Sequence, residues 1–459
     1  MVRTRQALVL FAAAVFAATF LARALWLSQT YFHPDESTVL WMALDAVRHP
    51  TLPDHGLVSH YQAFQPPGLV WITAPFVALG GGRPDFVIVG FALLNAGAIA
   101  FLALTVARSW SIVQAVVMSA FLVVGPDARM STWIWHPSLY TGAISLLIGA
   151  GIRLRSGSRW WATVLVAIPG LYALIHYSGF VLFGPTLALL LLSRRRWPEL
   201  AAPVGIGLAL VLVAWVPFLL FEHRRGWTDF STIAHSSDTR RTLLGKVSER
   251  ASAGLYAVIH LGWGIYSRVH LTPFILAGTI GAFALALRRR STDAAVIVPT
   301  LVLATGVAAQ VATNQGRRTD VLLLWLPALY ALCGWTVAQL CGIAAGRVRA
   351  VPARTVTVAI TAGAVIVVLA VGGIDLRRAI TGTATEQTLG YQLAAAKTHA
   401  PVHYKLTFGD SLYLPCDPPY DWGSQTWYLE EVDHPGTGIQ AAVRAGAFST
   451  RHGTCKSRH

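Results

Sequence analysis

Residues 7–36 read ALVLFAAAVFAATFLARALWLSQTYFHPDE, a long apolar run that leads through a short polar turn into an acidic pair. A helix needs about 20 mostly apolar residues to cross a bilayer, and residues 7–27 meet that length. We therefore expect a first membrane span there, with Asp35 and Glu36 at the membrane surface just beyond it. A cleaved signal peptide is the alternative, because residues 22–24 read Ala-Arg-Ala, which resembles a cleavage site. Either interpretation leaves the acidic pair on the same side.

The composition is that of a membrane protein. Of 459 residues, 54% are hydrophobic and 12% are charged, whereas soluble domains carry about 25% charged residues. The formal net charge of +15 comes from short basic clusters between apolar runs, which is typical of cytoplasmic loops rather than of a nucleic-acid-binding face. We therefore expect an all-α polytopic membrane protein that contacts membrane lipids and has no nucleic-acid partner.

Eleven apolar segments are candidate spans. They cover 7–27, 85–107, 110–125, 137–152, 160–175, 179–193, 200–220, 271–287, 293–312, 321–342 and 355–374. Arginine clusters recur in alternate connections, at Arg3 and Arg5, Arg108, Arg153 to Arg159, Arg194 to Arg196, Arg288 to Arg290, and Arg347 to Arg354. By the positive-inside rule these connections and the N-terminus are cytoplasmic. The extracytoplasmic connections are then 28–84, 126–136, 176–178, 221–270, 313–320 and the tail from 375.

Two outer connections and the tail are too long to be simple turns, since ordinary loops have a median of about 4–6 residues. Within 28–84, the segment 68–79 is apolar but too short to span, which predicts a helix on the membrane surface. The connection 221–270 has basic and aromatic residues typical of a second surface helix, preceded by a mobile polar segment. We expect a transmembrane domain over 1–374 and a small extracytoplasmic tail over 375–459.

The four cysteines fit neither a metal site nor a disulfide framework. Cys333 and Cys341 lie in one apolar run, and we expect them to be small buried side chains. Cys416 and Cys455 lie in the tail and could pair in an oxidising compartment. The sequence leaves pairing and free thiols equally open.

The acidic pair is the strongest candidate for chemistry. A carboxylate that is partly desolvated near the bilayer is a stronger base and can deprotonate a hydroxyl group. The alternative is a polar loop in which Asp35 caps a helix. The first outer connection also holds the histidines His33, His49, His55 and His60. With the acidic pair they could bind a divalent metal, although their spacing matches no zinc motif.

The acidic pair, together with the segment Gln65-Pro66-Pro67-Gly68-Leu69, resembles the GT-C membrane glycosyltransferases. The nearest groups are the protein O-mannosyltransferases and the lipid A aminoarabinose transferases. Supporting matches are Ile134-Trp135-His136-Pro137-Ser138, His176-Tyr177-Ser178, Pro217 to Glu222, and Arg317-Arg318. His136 stands where many relatives have Asn, and Thr319 follows the arginine pair where relatives often have Arg-Tyr. The likeness covers residues 1–342. It implies a bundle with two surface helices in the first outer loop, which also bears the catalytic acid, and a polyprenyl-phosphate sugar donor.

The resemblance implies roles for particular residues. Asp35 would be the general base, and Glu36 its partner or a group that orients the acceptor. The donor phosphate would be bound by Arg317, Arg318, His176 and Tyr177. The substrate would contact His33, His136 and Glu222. The residues alone leave plainer alternatives open, namely solvated loop arginines, a histidine that caps a helix, and a surface ion pair between Glu222 and a basic neighbour.

We therefore expect an inverting glycosyltransferase at the outer face of a bacterial cytoplasmic membrane. It would move a sugar from a polyprenyl-phosphate donor to an envelope glycan, lipid or protein. The sequence indicates no cofactor beyond the divalent metal considered above. The alternative is a lipid or sugar transporter or flippase, which would place charged residues or broken helices near the bilayer midplane. The spans are almost free of ionisable residues, which favours chemistry at the surface.

Overall fold

The computed structural model describes residues 2–32, 34–57, 63–193, 195–236, 270–312, 323–348, 351–382, 388–390 and 432. These residues are mainly helical, and they include an isolated antiparallel bridge between Tyr31 and Thr388. The helices are α1 (Val2–Ala24), α2 (Pro34–Arg48), α3 (Gly68–Leu79), α4 (Pro84–Ser109), α5 (Ile112–Val124), α6 (Asp127–Met130), α7 (Tyr140–Ser156), α8 (Trp161–Ile175), α9 (Phe183–Leu191), α10 (Trp197–Arg224), α11 (Thr228–Ser236), α12 (Thr272–Arg289), α13 (Ala294–Ala312), α14 (Leu326–Arg347) and α15 (Ala353–Thr381).

Each of the eleven apolar segments contains a helix. Among the described residues, six helices are long and apolar enough to cross a membrane, by length and composition. They are α1, α4, α10, α13, α14 and α15. Other helices are shorter because local signals end them: Ser111 caps the start of α5, and Gly125 follows its last residue. The expectation of an all-α, multi-pass membrane protein is confirmed.

Buried amides connect the central helices. α4 packs against α1 and α7, and α5 packs against α14. Asn95 of α4 donates to the Ser138 carbonyl at 2.7 Å and accepts from the Gly142 N–H at 2.9 Å. Gln114 of α5 donates to the Ala331 carbonyl at 3.0 Å. Neutral amides give directional contacts between helices in an apolar interior without placing a charge there.

The connections predicted to be extracytoplasmic meet at one end of the bundle, which we call the loop face. The Tyr177 hydroxyl donates to the Phe64 carbonyl at 2.8 Å. The ring of Tyr31 lies 5.3 Å from that of Trp133. These contacts join three connections that are distant in sequence, because antiparallel helices return the chain to the same end.

Arginine clusters lie at the other end. Arg155 donates to the Leu192 carbonyl at 3.1 Å, and Arg195 donates to the Gly157 carbonyl. The Leu192 carbonyl follows the end of α9, where the helix dipole favours a cation. This separation agrees with the alternation of the arginine clusters along the sequence. The assignment of that end to the cytoplasm stays a prediction.

Two helices cover the loop face. α3 has the bounds that the sequence predicted, and α2 is the second helix that the GT-C resemblance implied. α2 buries Val39, Leu40 and Leu44 and packs against α3. At the start of α3, a Cβ atom on Gly68 would lie 2.6 Å from the carbonyl oxygen of Leu174. Glycine therefore lets α3 approach α8 closely enough to fix the position of the first outer connection.

Two shorter predictions can be compared with the structure. Cys333 and Cys341 are buried and free, as predicted, whereas Cys416 and Cys455 lie outside the described residues. In the connection 221–270, the structure describes the end of α10 and the short helix α11. Residues 237–269, where most of the basic and aromatic residues of the predicted surface helix lie, are outside the described part.

The tail contacts the bundle at two described places. The Leu389 N–H donates to the Thr30 carbonyl at 2.8 Å. Val432 packs against the main hydrophobic core. The tail therefore returns to the first outer connection. The division into domains at residue 374 stays a prediction.

Candidate functional site

The acidic pair lies in the first turn of α2, where the positive end of the helix dipole favours carboxylates. The two side chains have different surroundings. Asp35 is exposed, whereas Glu36 is 2% exposed. The Glu36 Oε1 atom accepts a hydrogen bond from the Ile134 N–H at 3.2 Å. Glu36 therefore ties α2 to the connection between α6 and α7, and Asp35 is the member of the pair that is accessible at the surface.

A cleft lies beside this contact. It is shallow, and its empty volume of about 180 Å³ includes open solvent. Its lining consists of Trp26, Gln29, Thr30, Tyr31, Arg129, Thr132, Trp133 and Ile380. The Arg129 guanidinium lies 5.9 Å from the centroid of the Trp133 ring, within cation–π range. Because Trp133 precedes Ile134, the segment that Glu36 binds also forms one wall of the cleft.

A buried ion pair lies near the cleft, between α1 and α6. Arg23 and Asp127 are 0% and 2% exposed, and their closest nitrogen and oxygen atoms are 3.6 Å apart. Asp127 also accepts hydrogen bonds from Thr141 at 2.7 Å and from Tyr330 at 3.0 Å. The pair joins α1 to α6, so α1 is an integral part of the bundle. Sequence reasoning considered Arg23 only within the alternative of a cleavage site and so missed this role, although an ionisable residue in an apolar run was itself a signal.

His136 and His176 form one stacked pair. Their ring centroids are 3.6 Å apart, the ring planes differ by 2°, and both residues are buried. The Nδ1 atom of His176 accepts from the Ser178 N–H at 3.1 Å. A neutral His176 must then carry its proton on Nε2. The structure thus shows the helix-capping role that the sequence offered as the alternative, while the phosphate-binding role stays a prediction.

Tyr177 and Glu222, two more of the predicted site residues, are engaged within the fold. The Tyr177 hydroxyl is engaged by the Phe64 carbonyl. Glu222 is fully buried, so its side chain does not lie at the surface as the ion-pair alternative supposed, and the neighbouring Arg225 pairs with Asp229 at 3.5 Å. Arg224 instead pairs with Asp54 at 2.5 Å. The reason is the turn after α10, which folds the chain back so that the Trp227 N–H donates to the Glu222 carbonyl at 2.8 Å.

Three of the predicted site residues cannot be placed. His33, Arg317 and Arg318 lie outside the described residues. The described site residues all lie at the loop face, but in two groups. Glu36, next to Asp35, contacts the segment that borders the cleft, whereas His136, His176 and Tyr177 lie at the end of α8.

The described residues contain no group of three or more His, Cys, Asp or Glu side chains that could hold a metal ion. Two of the loop histidines pair with neighbouring carboxylates: His49 with Asp45 at 3.1 Å, and His55 with Asp54 at 2.7 Å. These histidines therefore do not converge on Glu36, because Glu36 lies at the start of α2 and the histidines follow its end. Divalent metal binding stays a prediction.

No protein-family model matches the chain, and no curated protein matches it in sequence. Solved structures do match it. Apo ArnT from Cupriavidus metallidurans matches with a TM-score of 0.57 and 16% identity, over 96% of this chain and 89% of that chain. ArnT from the same organism bound to undecaprenyl phosphate matches with a TM-score of 0.56 and 15% identity, over 92% and 84% of the two chains.

A second kind of enzyme shares the fold. The Archaeoglobus fulgidus oligosaccharyltransferase, tethered with an acceptor peptide, matches with a TM-score of 0.50 and 13% identity, over 93% of this chain and 63% of that chain. ArnT, a lipid A aminoarabinose transferase, and this oligosaccharyltransferase are both GT-C fold glycosyltransferases. The chain therefore has the GT-C fold that its sequence predicted. At these identities the likeness is one of fold.

Proposed function

We propose that the protein is an inverting glycosyltransferase that uses a polyprenyl-phosphate-linked sugar as donor. It would act at the outer face of the cytoplasmic membrane, with its N-terminus in the cytoplasm, on an envelope glycan, lipid or protein. The observation that carries the proposal is the position of the acidic pair. Exposed Asp35 stands beside Glu36, and Glu36 is bonded to the segment that forms the wall of a cleft containing Arg129.

The chemistry follows from this arrangement. Asp35 accepts the proton of the acceptor hydroxyl as its oxygen attacks the anomeric carbon. The bond between that carbon and the phosphate oxygen breaks, and the lipid phosphate leaves with the electron pair. Direct displacement inverts the configuration at the anomeric carbon. Glu36 has a positioning role, because its carboxylate holds the start of α2 against Ile134.

The remaining assignments are parts of the same proposal. Arg317, Arg318, His176 and Tyr177 bind the donor phosphate. His33, His136 and Glu222 contact the sugar or the acceptor. The ArnT structure with undecaprenyl phosphate supports a lipid phosphate as the donor's leaving group. A divalent metal, if one is required, would act near the acidic pair.

The experiment uses purified full-length protein and polyprenyl phosphates that carry radiolabelled mannose, arabinose, galactose or glucose. We expect Asp35→Asn to lower the rate of donor consumption by about 10²- to 10⁴-fold, the usual contribution of a general base. Asp45→Asn is the matched control, because Asp45 lies on the same helix and its side chain is 52% exposed. Equal rates for Asp35→Asn and wild type would refute the assignment. Movement of a lipid-linked sugar across liposomes without its consumption would establish the transporter alternative.

A further inference from the structure

Residues 388–390 of the tail lie beside the connection between α1 and α2. Thr388 and Tyr31 form the antiparallel bridge, and the Leu389 N–H donates to the Thr30 carbonyl at 2.8 Å. The Leu389 side chain is buried in the main hydrophobic core. The segment is therefore anchored both through its backbone and through an apolar side chain.

A glycine lets this segment approach the connection closely. A Cβ atom on Gly390 would lie 2.9 Å from the carbonyl oxygen of Ser28 and 3.1 Å from its Cβ atom. A larger residue would therefore push the two segments apart. As the numbering rises from 388 to 390, the contacted residues fall from Tyr31 to Ser28, so the contacts agree on one antiparallel register.

The paired connection leads directly into the acidic pair. Three residues separate Tyr31 from Asp35, and one of them, Phe32, is buried in the main core. On the other side, the carboxylate of Glu36 accepts from the Ile134 N–H at 3.2 Å. The start of α2 is thus fastened at two places, to the tail and to the connection after α6.

A second contact of the tail reaches the other half of α2. A Cβ atom on Gly82 would lie 2.9 Å from a methyl carbon of Val432 and 3.5 Å from one of Leu44. Both side chains therefore pack on Gly82, and Leu44 is a buried residue of α2. We give the name tail brace to the four residues that make these contacts, which are Thr388, Leu389, Gly390 and Val432.

We propose that the tail brace is a positioning element, which holds α2 and the Asp35 that it carries against the bundle and stays in place during turnover. This inference rests on the proposed function, in which Asp35 is the general base. A base acts only within hydrogen-bond reach of the proton that it abstracts. A displacement of about 1 Å can lower a rate by about 100-fold. Because α2 carries Asp35, contacts that fix the helix also fix the base.

The first test disrupts the brace in the full-length protein. Leu389→Pro lacks the N–H that donates to the Thr30 carbonyl, and Gly390→Ala adds a methyl group against Ser28. We expect Leu389→Pro to lower kcat by about 10- to 100-fold. The donor KM should not change, because the lost interaction serves the reacting geometry rather than donor binding. An unchanged kcat would overturn the inference, and Gly390→Ala takes the place of Leu389→Pro if that variant fails to fold.

Two variants serve as controls. Leu389→Met keeps the backbone N–H and an apolar side chain, so its kcat should match that of wild type. Arg83→Ala is a surface control in the first outer connection, where Arg83 pairs with Asp85 at 2.9 Å.

A reversible crosslink separates positioning from a general loss of stability. Tyr31→Cys and Thr388→Cys place thiols on paired residues, and the Cα atoms of such antiparallel pairs lie about 4.5–5.5 Å apart, within the range that a disulfide spans. Cys416→Ser and Cys455→Ser remove competing thiols. When Leu389→Pro is added to these changes, oxidation should restore kcat and reduction should lower it again. A complete crosslink that restores nothing would overturn the inference, as would failure of the two thiols to crosslink.

The same thiol pair, without Leu389→Pro, tests whether the brace stays in place during turnover. We expect the oxidised and the reduced protein to have equal kcat values. A higher kcat after reduction would show that residues 388–390 must move away from the connection in each cycle. The segment would then be a gate, and the inference would be wrong.

Hydrogen exchange gives a readout that does not depend on transfer. Leu389→Pro should raise amide exchange in peptides from α2 and leave exchange in α8 unchanged. If wild type consumes no lipid-linked sugar, the proposed function fails, and exchange still shows whether the tail holds α2. If wild type transfers sugar while Leu389→Pro changes neither kcat nor exchange, this inference fails and the proposed function stands.

Discussion

The carboxylate of Glu36 accepts a hydrogen bond at 3.2 Å from the backbone N–H of Ile134, although 98 residues separate them in sequence. The contact fixes the start of α2 against the wall of the cleft. It also assigns different tasks to two adjacent acids, since Glu36 is buried while its neighbour Asp35 is exposed.

The Glu36 contact predicts a difference between two substitutions. Glu36→Gln keeps an oxygen that can accept from Ile134, so we expect its melting temperature to stay close to that of wild type. Glu36→Ala leaves a buried N–H without that partner, which costs about 1–3 kcal/mol. Thermal unfolding in detergent checks both variants. If both melt alike, the contact contributes nothing to stability, and the position of Glu36 needs another explanation.

The buried ion pair predicts a large loss of stability when one charge is removed. Arg23→Met leaves Asp127 buried without its counter-ion, which typically costs about 3–5 kcal/mol. Adding Asp127→Asn should restore part of the loss, because the amide carries no charge. Arg83→Ala is the control and should cost no more than about 1 kcal/mol, as expected for an exposed ion pair. Melting temperatures measured together decide the matter, and equal values for Arg23→Met and Arg83→Ala would contradict the prediction.

The close packing at Gly68 predicts that a residue with a side chain does not fit at the start of α3. A Cβ atom there would lie 2.6 Å from the Leu174 carbonyl oxygen, so Gly68→Ala must displace α3 or α8. We expect a cost of about 1–3 kcal/mol, together with reduced donor turnover. Gly97→Ala is the control, since a Cβ on Gly97 in α4 would meet no atom within 4 Å. A stable, active Gly68→Ala protein would show that α3 can move without consequence.

The surroundings of Asp54 predict that the stability of the protein depends on pH. Partial burial by itself raises the pKa of Asp54, but the hydrogen bond and charge of His55, together with Arg224, outweigh burial and lower the pKa. A carboxyl group with a lowered folded-state pKa stabilises the fold above its unfolded pKa of about 3.9. That stability is lost as the pH falls through the folded-state pKa.

We therefore expect Asp54→Asn to lower the free energy of unfolding near neutral pH by less than about 1 kcal/mol, because the pair is partly exposed. The melting temperature should fall slightly as a result. The difference from wild type should vanish in acid, below the folded-state pKa, and should shrink in high salt. Melting curves over a pH series check this. A difference that grows as the pH falls would contradict the assigned sign.

The sequence by itself determined which segments are helical and which connections meet at the loop face. Apolar runs require helices in a membrane, because helices satisfy their own backbone hydrogen bonds. The alternation of arginine clusters then orders the connections. Even the bounds of α3 could be predicted, since Pro67 and Gly80 flank an apolar run. The GT-C fold followed from the acidic pair and the Pro66-Pro67 segment.

Only the tertiary structure decided what the polar side chains do. Arg23 and Asp127 form a buried pair because α1 and α6 pack together, and nothing in either local sequence specifies the other residue. Arg129 lines a cleft whose walls come from the connection after α1, from α15 and from the connection after α6. Glu222 is buried because the turn after α10 folds back on it. Each of these depends on the relative placement of distant helices, whereas a sequence pattern reports only the neighbours within about one or two helical turns.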